Sequence, residues 1–313
     1  MIVFGPVPSR RLGRSLGVNN IIPKFCSYSC VYCQLGITKN LIIERRNFYI
    51  LEKVFDEVRK KVEQIKKIGE SIDYITFVPD GEPTLDINIG KEIEMISSLK
   101  IPIAVITNGS LLFLEDVRKD LQKANIVSIK IDTVNNLTFK KLNRPNRLLS
   151  LDRILDGFKK FAKEYKGRLI TETMLVKDLN DSESEIESTA LFIEQINPFM
   201  SYISIPTRPP AIRFVEPPNE EKIINSYLIF KEIVKNVSML IEPEEGKFTI
   251  TNEIQEDLLS IMSVHPMRED EIYDLLEKRK EDYLVIQNLL DEKKIKCINY
   301  KGKKFYIRNF EKV

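Results

Sequence analysis

Three of the four cysteines fall within eight positions, and their spacing is suited to holding a metal cluster. Cys26, Cys30 and Cys33 form a C-x3-C-x2-C pattern. A structural zinc site normally closes with four protein ligands, and the spare candidates, His265 and Cys297, lie in a different predicted domain. Three thiolates on a four-iron cluster leave one iron open to an outside ligand, as a catalytic cluster requires. The alternative is three structural cysteines that pack as small apolar side chains.

Composition predicts a folded cytoplasmic protein. The chain has 313 residues, of which 43% are hydrophobic and 30% charged, enough to bury a sizeable core and to exclude disorder. Its first seventeen residues are broken by prolines and turn basic, unlike a signal peptide, and no later run is apolar enough for a membrane span. Four cysteines, three of them clustered, make a poor disulfide framework but fit a metal cluster in a reducing compartment.

Charge is unevenly distributed although the net charge is only +2. Residues 1–43 contain five basic side chains and no acidic one, and residues 293–313 contain eight basic against one acidic. Residues 252–292 are acidic, with twelve acids against four bases. The two basic segments suggest an anionic partner such as tRNA or another nucleic acid; the alternative is an ordinary solvated surface.

Apolar β-branched runs alternate with amphipathic stretches along the first two thirds of the chain. The strand-like runs are 16–22, 74–78, 103–107, 126–131, 169–175 and 202–205. The helix-like stretches are 51–68, 87–99, 114–124, 151–165, 182–196 and 220–237. This alternation predicts an α/β fold with a parallel sheet, either closing like a barrel or open and doubly wound. In both cases ligands bind at the C-terminal ends of the strands.

The pattern changes near residue 240, which predicts two domains, 1–240 and 241–313. Residues 243–246 resemble a linker, and the helix-like stretches 252–264, 268–278 and 281–292 follow. Two short strands, 296–299 and 304–307, form a basic hairpin. Three helices and a hairpin predict a small winged-helix domain. His265, before a proline in a turn, is expected to be structural, and Cys297 to be a small packed side chain.

Polar residues stand where the predicted strands end. They are Gly81, Glu82 and Pro83 after the second strand, Thr107 and Asn108 at the third, Ser128, Lys130 and Asp132 on the fourth, Thr173 on the fifth, and Arg208 after the sixth. Gly-Glu-Pro and Thr-Asn-Gly are ordinary turns when taken alone. Ser128, Lys130 and Asp132 share one face, where buried charges must pair with each other or with a ligand; a solvated edge strand is the alternative. Arg208 suits an anionic group on substrate or cofactor, or else lies in a surface turn.

The cysteine loop, with Tyr32 before its last cysteine, resembles the radical S-adenosylmethionine superfamily over about the first 215 residues. The resemblance implies a partial (βα)6 TIM-like barrel and one [4Fe-4S] cluster held by the three cysteines. It also implies S-adenosylmethionine on the open iron, an external electron donor, and release of a 5′-deoxyadenosyl radical. It places Tyr32 beside the adenine, residues 81–83 at the methionyl ammonium, and Thr107 and Asn108 near the carboxylate. Asp80 replaces the first glycine of the family's G-G-E-P motif.

Residues 5–19 resemble a branch related to the wybutosine-synthesising enzymes, which act on tRNA. Those enzymes carry a second cluster on upstream cysteines, whereas this chain has no cysteine before Cys26, so one cluster is expected. The leading hypothesis is an enzyme that modifies a substrate such as tRNA. The alternatives are a peptide or small metabolite as substrate, or a non-enzymatic iron–sulfur redox sensor that binds DNA through the winged helix.

Overall fold

A computed structural model describes residues 2–241, Phe248 and 254–309. The strands are β1 (Val3–Ser9), β2 (Gly13–Val18), β3 (Phe25–Cys26), β4 (Asn40–Leu41), β5 (Tyr74–Phe77), β6 (Ile103–Thr107), β7 (Ile126–Lys130), β8 (Arg168–Met174), β9 (Met200–Ser204), β10 (Val237–Leu240), β11 (Met267–Arg268), β12 (Ile295–Tyr300) and β13 (Lys303–Arg308). The helices are α1 (Leu51–Lys67), α2 (Ile89–Ser97), α3 (Glu115–Leu121), α4 (Asn136–Leu142), α5 (Leu151–Glu164), α6 (Glu183–Ile196), α7 (Glu220–Ile233), α8 (Ile254–Val264), α9 (Glu269–Arg279) and α10 (Leu284–Asp291), with a 3-10 turn at Pro83–Leu85.

The main sheet has eight strands in the order β1-β2-β5-β6-β7-β8-β9-β10. Only the β1–β2 pair is antiparallel; every later neighbour is parallel. The six predicted strands correspond to β2 and β5 to β9, which confirms the α/β class and the partial barrel. Because β1 and β10 stand at the two edges of the strand order, the barrel is open.

Helices cover the outer face of this sheet. On α1 the side chains of Val54, Val58, Val62 and Ile65 are fully buried, as the spacing of an amphipathic helix predicts. On the strands, alternate side chains such as Ile75 and Val105 pack in the same core. The other set faces the barrel interior, where apolar residues such as Ala104 and Ile170 form a separate small cluster. The interior positions nearer the strand ends are polar.

Two of the differences from the sequence prediction concern helices. The stretch 220–237 was predicted as one helix, but α7 ends at Ile233 and β10 begins at Val237. The backbone is already extended at Val234, and β10 pairs with β9, which gives the β-branched end of the stretch a sheet partner. Helix α4 was not predicted. Its N-cap Asn135 accepts hydrogen bonds from the second and third backbone N–H groups that follow.

The described C-terminal residues form three helices and a three-stranded antiparallel sheet in the order β11-β13-β12. The β12–β13 hairpin turns at Lys301 and Gly302, both with positive φ, as a tight two-residue turn requires. Phe4 and Val7 of β1 belong to the apolar cluster of this unit, which therefore packs on the barrel edge. Cys297 is exposed, so the expectation that it is packed was wrong.

The winged-helix assignment and the boundary at residue 240 stay predictions, and the proposed linker at 243–246 lies outside the described residues. Within the part of the chain that the structure describes, no helix combines the length and apolarity needed to cross a bilayer.

Candidate active site

The three clustered cysteines lie in one loop that is tied to the sheet. Cys26 ends β3, and the backbone N–H of Cys33 donates to the Cys30 carbonyl at 3.1 Å. All three are free thiols and half-buried. Two amides approach the sulfurs: Asn108 Nδ2 lies 3.7 Å from Cys26 Sγ, and Asn143 Nδ2 lies 3.6 Å from Cys30 Sγ. These amides are placed to donate to thiolates held by a cluster.

The donor set fits an iron–sulfur cluster better than a single ion. Among the described residues, no three His, Cys, Asp or Glu side chains converge as ligands of one metal ion. A cuboidal cluster binds each thiolate to a different iron and so spreads its ligands further apart. Burial raises the pKa of Cys26 and Cys33, and burial with the Asp132 charge raises the pKa of Cys30 to about 12. Metal coordination would therefore be needed to hold these thiols as thiolates.

Glu82 joins two of the predicted motifs. Its Oε1 accepts from the Thr84 hydroxyl at 2.6 Å and the Thr107 hydroxyl at 2.5 Å, and its Oε2 accepts from the Asn108 backbone N–H at 2.8 Å. Burial raises the pKa of Glu82 although these bonds favour its ionised form. The Gly-Glu-Pro turn and the Thr-Asn-Gly turn are thus one hydrogen-bonded unit beneath Cys26.

Gly81 and Asp80 hold the cysteine loop against this unit. Gly81 has φ +150°, and a Cβ there would lie 1.8 Å from the Phe25 carbonyl oxygen, so only glycine allows the approach. Asp80, which replaces a family glycine, pairs with Lys24 at 3.1 Å, and its carbonyl accepts from the Lys24 backbone N–H at 2.8 Å. Burial raises the pKa of Asp80 to about 6 despite this cation. The Lys24–Asp80 pair therefore anchors the segment that leads to Cys26.

A cavity of about 350 Å³ opens at the C-terminal ends of the strands. Its size is that of a small-molecule site. Four predicted site residues line it: Tyr32, Cys33, Lys130 and Arg208. Side chains on β2, β5, β8 and β9 complete much of the wall, namely Ser15, Thr76, Glu172, Met174 and Ser204. The structure thus brings the cysteine loop and the polar barrel interior to one space.

An ion-pair network crosses this cavity. Lys130 Nζ lies 3.1 Å from Glu172 Oε1, and Arg11 donates to the other Glu172 oxygen. Burial opposes the ionisation of Glu172, but Arg11 and Lys130 outweigh it and hold its pKa far below the usual range. Burial likewise opposes the charge of Lys130, yet Glu172 and Asp132 raise its pKa. Lys130 also stands 5.1 Å from the centre of the Tyr32 ring.

Asp132 fixes Tyr32 beside the cavity. The Tyr32 hydroxyl donates to Asp132 Oδ2, which also accepts from Asn143 Nδ2 at 2.7 Å, and the Met174 backbone N–H donates to Oδ1 at 2.9 Å. Lys130 Nζ is 4.0 Å from Asp132 Oδ1. The predicted Lys130–Asp132 pairing is therefore present, but the closer partner of Lys130 is Glu172.

Ser128 and Thr173 are two of the predicted residues that lie outside the cavity wall. Ser128 lines a smaller void deeper in the barrel, and Thr173 is buried and donates to the Ile131 carbonyl at 2.8 Å. On β8 the side chains that line the cavity are Glu172 and Met174, both of which the sequence reasoning missed. The alternation of Thr171, Glu172 and Thr173 indicates two faces, but it does not say which one is internal.

Arg208 reaches the C-terminal unit. Its Nη1 donates to Gln34 Oε1 at 3.2 Å, and its Nη2 lies 3.0 Å from His265 Nε2. His265 is 7% exposed and lines the cavity. It was predicted to be structural, and the prediction did not include its place in the cavity wall. The sequence carried no local signal for this contact, which joins residues on two predicted domains.

Comparison with known proteins agrees with this geometry. The model of the radical SAM superfamily matches residues 20–193, more than half of the chain, and the chain therefore belongs to that superfamily. Within it, the chain is 47% identical over 312 residues to the UPF0026 protein of Methanocaldococcus jannaschii, covering 99% of this chain and 97% of that protein. It is thus a UPF0026 relative over nearly its whole length.

Two solved structures share the fold at low sequence identity. A radical SAM methyltransferase from Sphaerobacter thermophilus matches with TM-score 0.56 and 16% identity, over 72% of this chain and 66% of that one. TYW1 with a bound lysine-pyruvate adduct matches with TM-score 0.54 and 15% identity, over 71% of this chain and 74% of that one. The superfamily is one of enzymes that use a [4Fe-4S] cluster and S-adenosylmethionine, so this chain is an enzyme with those cofactors rather than a non-enzymatic regulator.

Proposed function

We propose that this chain binds one [4Fe-4S] cluster through Cys26, Cys30 and Cys33 and cleaves S-adenosylmethionine to a 5′-deoxyadenosyl radical that modifies a substrate in the strand-end cavity. The observation that carries the proposal is the meeting of the cysteine loop with that cavity, since Cys33 and Lys130 line the same space. The cluster, when bound, would pass one electron from an external donor to the sulfonium and so break its S–C5′ bond.

The protein's own residues would bind and orient the cofactor. The unit formed by Glu82, Thr107 and Asn108 lies next to Cys26 and offers carboxylate and amide groups for the methionyl end. Glu172 and Lys130 offer an acceptor and a donor for ribose hydroxyls. The carboxylate of Asp132 holds the Tyr32 ring at the cavity wall, where it can pack on adenine. Ser128 and Thr173 act only through the packing of the strands that carry these groups.

Anaerobic reconstitution with iron and sulfide tests the proposal. With dithionite and S-adenosylmethionine, the wild-type protein should form 5′-deoxyadenosine, measured by liquid chromatography and mass spectrometry. Cys30→Ala should lose both the cluster absorbance and the product. Cys297→Ala is the matched control and should keep both, because Cys297 is exposed on β12. Full product formation by Cys30→Ala, or binding of one zinc ion and no iron, would contradict the proposal.

We propose tRNA as the substrate class. Support comes from the β12–β13 hairpin, where Lys296, Lys301, Lys303 and Lys304 are exposed. An exposed row of cations is suited to phosphate contacts. Of these lysines, Lys304 also forms an ion pair within the protein, with its Nζ 3.0 Å from Glu269 Oε1. A peptide or a small metabolite remains the alternative substrate class.

A salt-dependent gel-shift with tRNA separates these substrates. Affinity for tRNA should fall steeply as the salt concentration rises. The Lys296→Glu/Lys303→Glu variant should bind tRNA more weakly, and its log affinity should depend less steeply on log salt concentration. Lys66→Glu, an exposed lysine at the end of α1, is the control and should change little. Equal binding by the hairpin variant and the wild type would refute a tRNA contact at this hairpin.

A further inference from the structure

Two segments at the cysteine loop carry positive charge only. Residues 27–43 and 136–150 together hold five basic side chains and no acidic one. All five are exposed, namely Lys39, Lys140, Lys141, Arg144 and Arg147. Within the residues that the structure describes, none of the five side chains forms an ion pair. A surface with this much unpaired positive charge favours an acidic partner.

The backbone that carries these cations is bonded to the cysteine loop. The Ser29 N–H donates to the carbonyl oxygens of Asn143 and Arg144, each at 3.1 Å. On the other segment, the Thr38 hydroxyl donates to the Tyr28 carbonyl at 2.7 Å. Asn143 also supplies the amide that lies 3.6 Å from a cysteine sulfur. The cations therefore stand within a few residues of groups that contact the proposed cluster ligands.

Exposed apolar side chains lie among these cations. Ile37 is 60% exposed, Leu41 37% and Leu148 61%. Asn146 Nδ2 donates to the Leu41 carbonyl at 2.8 Å, which joins the two segments into one surface. These three apolar residues and the five cations make up the loop surface. Interfaces with nucleic acid are more polar than those between proteins, so a surface of mixed apolar and cationic side chains favours a protein partner.

The loop surface is separate from the cavity. Tyr32, Cys33 and Gln34 line the cavity, whereas no residue of the loop surface does. The exposed lysines proposed to contact tRNA belong to the β12–β13 hairpin, in the other unit of the chain. A macromolecule can therefore contact the cysteine loop at the loop surface while S-adenosylmethionine occupies the cavity.

We propose that the loop surface docks an acidic carrier protein that delivers one electron to the cluster. The inference rests on the proposed function, because it requires a cluster in the cysteine loop and an external donor. The carrier's flavin or iron–sulfur group loses one electron, the cluster gains it, and no proton or bond is transferred. Since electron transfer between proteins weakens steeply with distance, a surface bonded to the cysteine loop is suited to docking such a carrier.

Titration calorimetry of the reconstituted enzyme with two acidic carriers tests the docking. The probes are oxidised flavodoxin, which carries a flavin, and oxidised two-cluster ferredoxin, which carries iron–sulfur groups. At least one of them should bind at low salt, and its affinity should fall as salt screens the charges. Lys141→Glu/Arg147→Glu should weaken that binding roughly ten- to hundredfold. Lys39→Glu, on the other segment, should weaken it independently.

Electron transfer from the carrier that binds gives a second readout. In stopped-flow mixing with the reduced carrier, Lys141→Glu/Arg147→Glu should reduce its cluster more slowly by a similar factor, because charge steering acts on the association rate. Reduction by dithionite, which needs no docking surface, should proceed in every variant and shows that the cluster is intact.

Lys67→Glu/Lys166→Glu is the matched control with the same change of charge. Both lysines are exposed and precede β5 and β8, at the end of the barrel opposite the cavity. Carrier affinity and the rate of cluster reduction should therefore change little in this variant.

Carrier binding that depends on Lys141, Arg147 and Lys39 supports the docking surface, and the carrier that binds identifies the donor's redox group. Equal carrier affinity in the wild type and both loop-surface variants overturns it, as does failure of the wild type to bind either carrier. Weaker tRNA binding by Lys141→Glu/Arg147→Glu with unchanged carrier affinity also overturns it, because the surface would then serve nucleic acid. Absence of 5′-deoxyadenosine with dithionite refutes the proposed function, whereas product formation with dithionite and no carrier binding refutes this inference alone.

Discussion

Glu172 is the residue whose replacement gives the sharpest test of the cavity electrostatics. Its side chain is 11% exposed, and the side chains of Arg11 and Lys130, which both pair with it, are each 17% exposed. Ser204 also donates to it at 3.0 Å. Glu172→Gln keeps the shape of the side chain but removes its charge, leaving two cations facing each other in a largely buried space.

The expected cost follows from that burial. Removing one partner of a buried ion pair costs about 3–5 kcal/mol, because the other charge stays desolvated. Both cations border the cavity, where water can reach them, so we expect about 3 kcal/mol, the lower end of that range. This loss corresponds to a fall in the melting temperature of about 6–12 °C for a domain of roughly this size.

The loss has a defined pH dependence. Arg11 and Lys130 lower the pKa of Glu172 in the folded protein, so the stabilisation is fully present above the unfolded value of about 4.3. As the pH falls below about 4, the unfolded chain takes up this proton first, and the pair's contribution declines by up to about 1.4 kcal/mol per pH unit. The difference between wild type and Glu172→Gln should therefore be constant from about pH 5 to 8 and shrink below about pH 4.

Urea unfolding followed by circular dichroism measures both effects. Glu216→Gln is the control, because Glu216 pairs with Lys177 on the surface, with side chains 63% and 49% exposed. Its loss should be under about 1 kcal/mol. A loss that small for Glu172→Gln, or a difference that does not shrink in acid, would show that the network does not carry the assigned charges.

Two further predictions concern Glu92 on α2 and Gly81 after β5. Burial and Asp86 raise the pKa of Glu92 to about 9. Its stabilising contribution is therefore greatest in acid, declines as the pH rises above the unfolded value of about 4.3, and is lost by about pH 9. Glu92→Gln should therefore raise the unfolding free energy at pH 8, by up to about 5 kcal/mol relative to its effect at pH 4, in urea titrations; an unchanged difference between the two pH values would contradict the assignment. Gly81→Ala should lower the iron bound per chain after reconstitution, because its Cβ would meet the Phe25 carbonyl. Gly36→Ala, also at positive φ but with open space around it, should bind more iron than Gly81→Ala does. Equal losses of iron in the two variants would point to backbone strain instead.

Several features of the fold follow directly from local sequence. The β-branched runs predicted β5 to β9 to within about two residues at each end, because parallel strands buried on both faces read as continuous apolar runs. The cysteine spacing indicated the radical SAM superfamily, which the family match confirms. The first β-strand, Val3–Ser9, has no such signal, since it contains two prolines and sits at the edge of the sheet.

The site wall required contacts between distant segments. Arg11 and Glu172 are 161 positions apart, and Arg208 and His265 are 57 apart. Thr173 was chosen on β8 where Glu172 is one of the residues that line the cavity, because alternation defines two faces but not their orientation. The pairing of β8 between β7 and β9 sets that orientation.

The sequence alone determined the superfamily, the cofactors and the parallel α/β architecture, since these depend on short motifs and on local periodicity. The tertiary structure alone decided which polar residues share the cavity, that Glu172 pairs with two bases there, and that the C-terminal unit contributes His265 to the cavity wall. The physical reason is that charge balance in a buried site depends on distances between side chains remote in the chain, and only packing sets those distances.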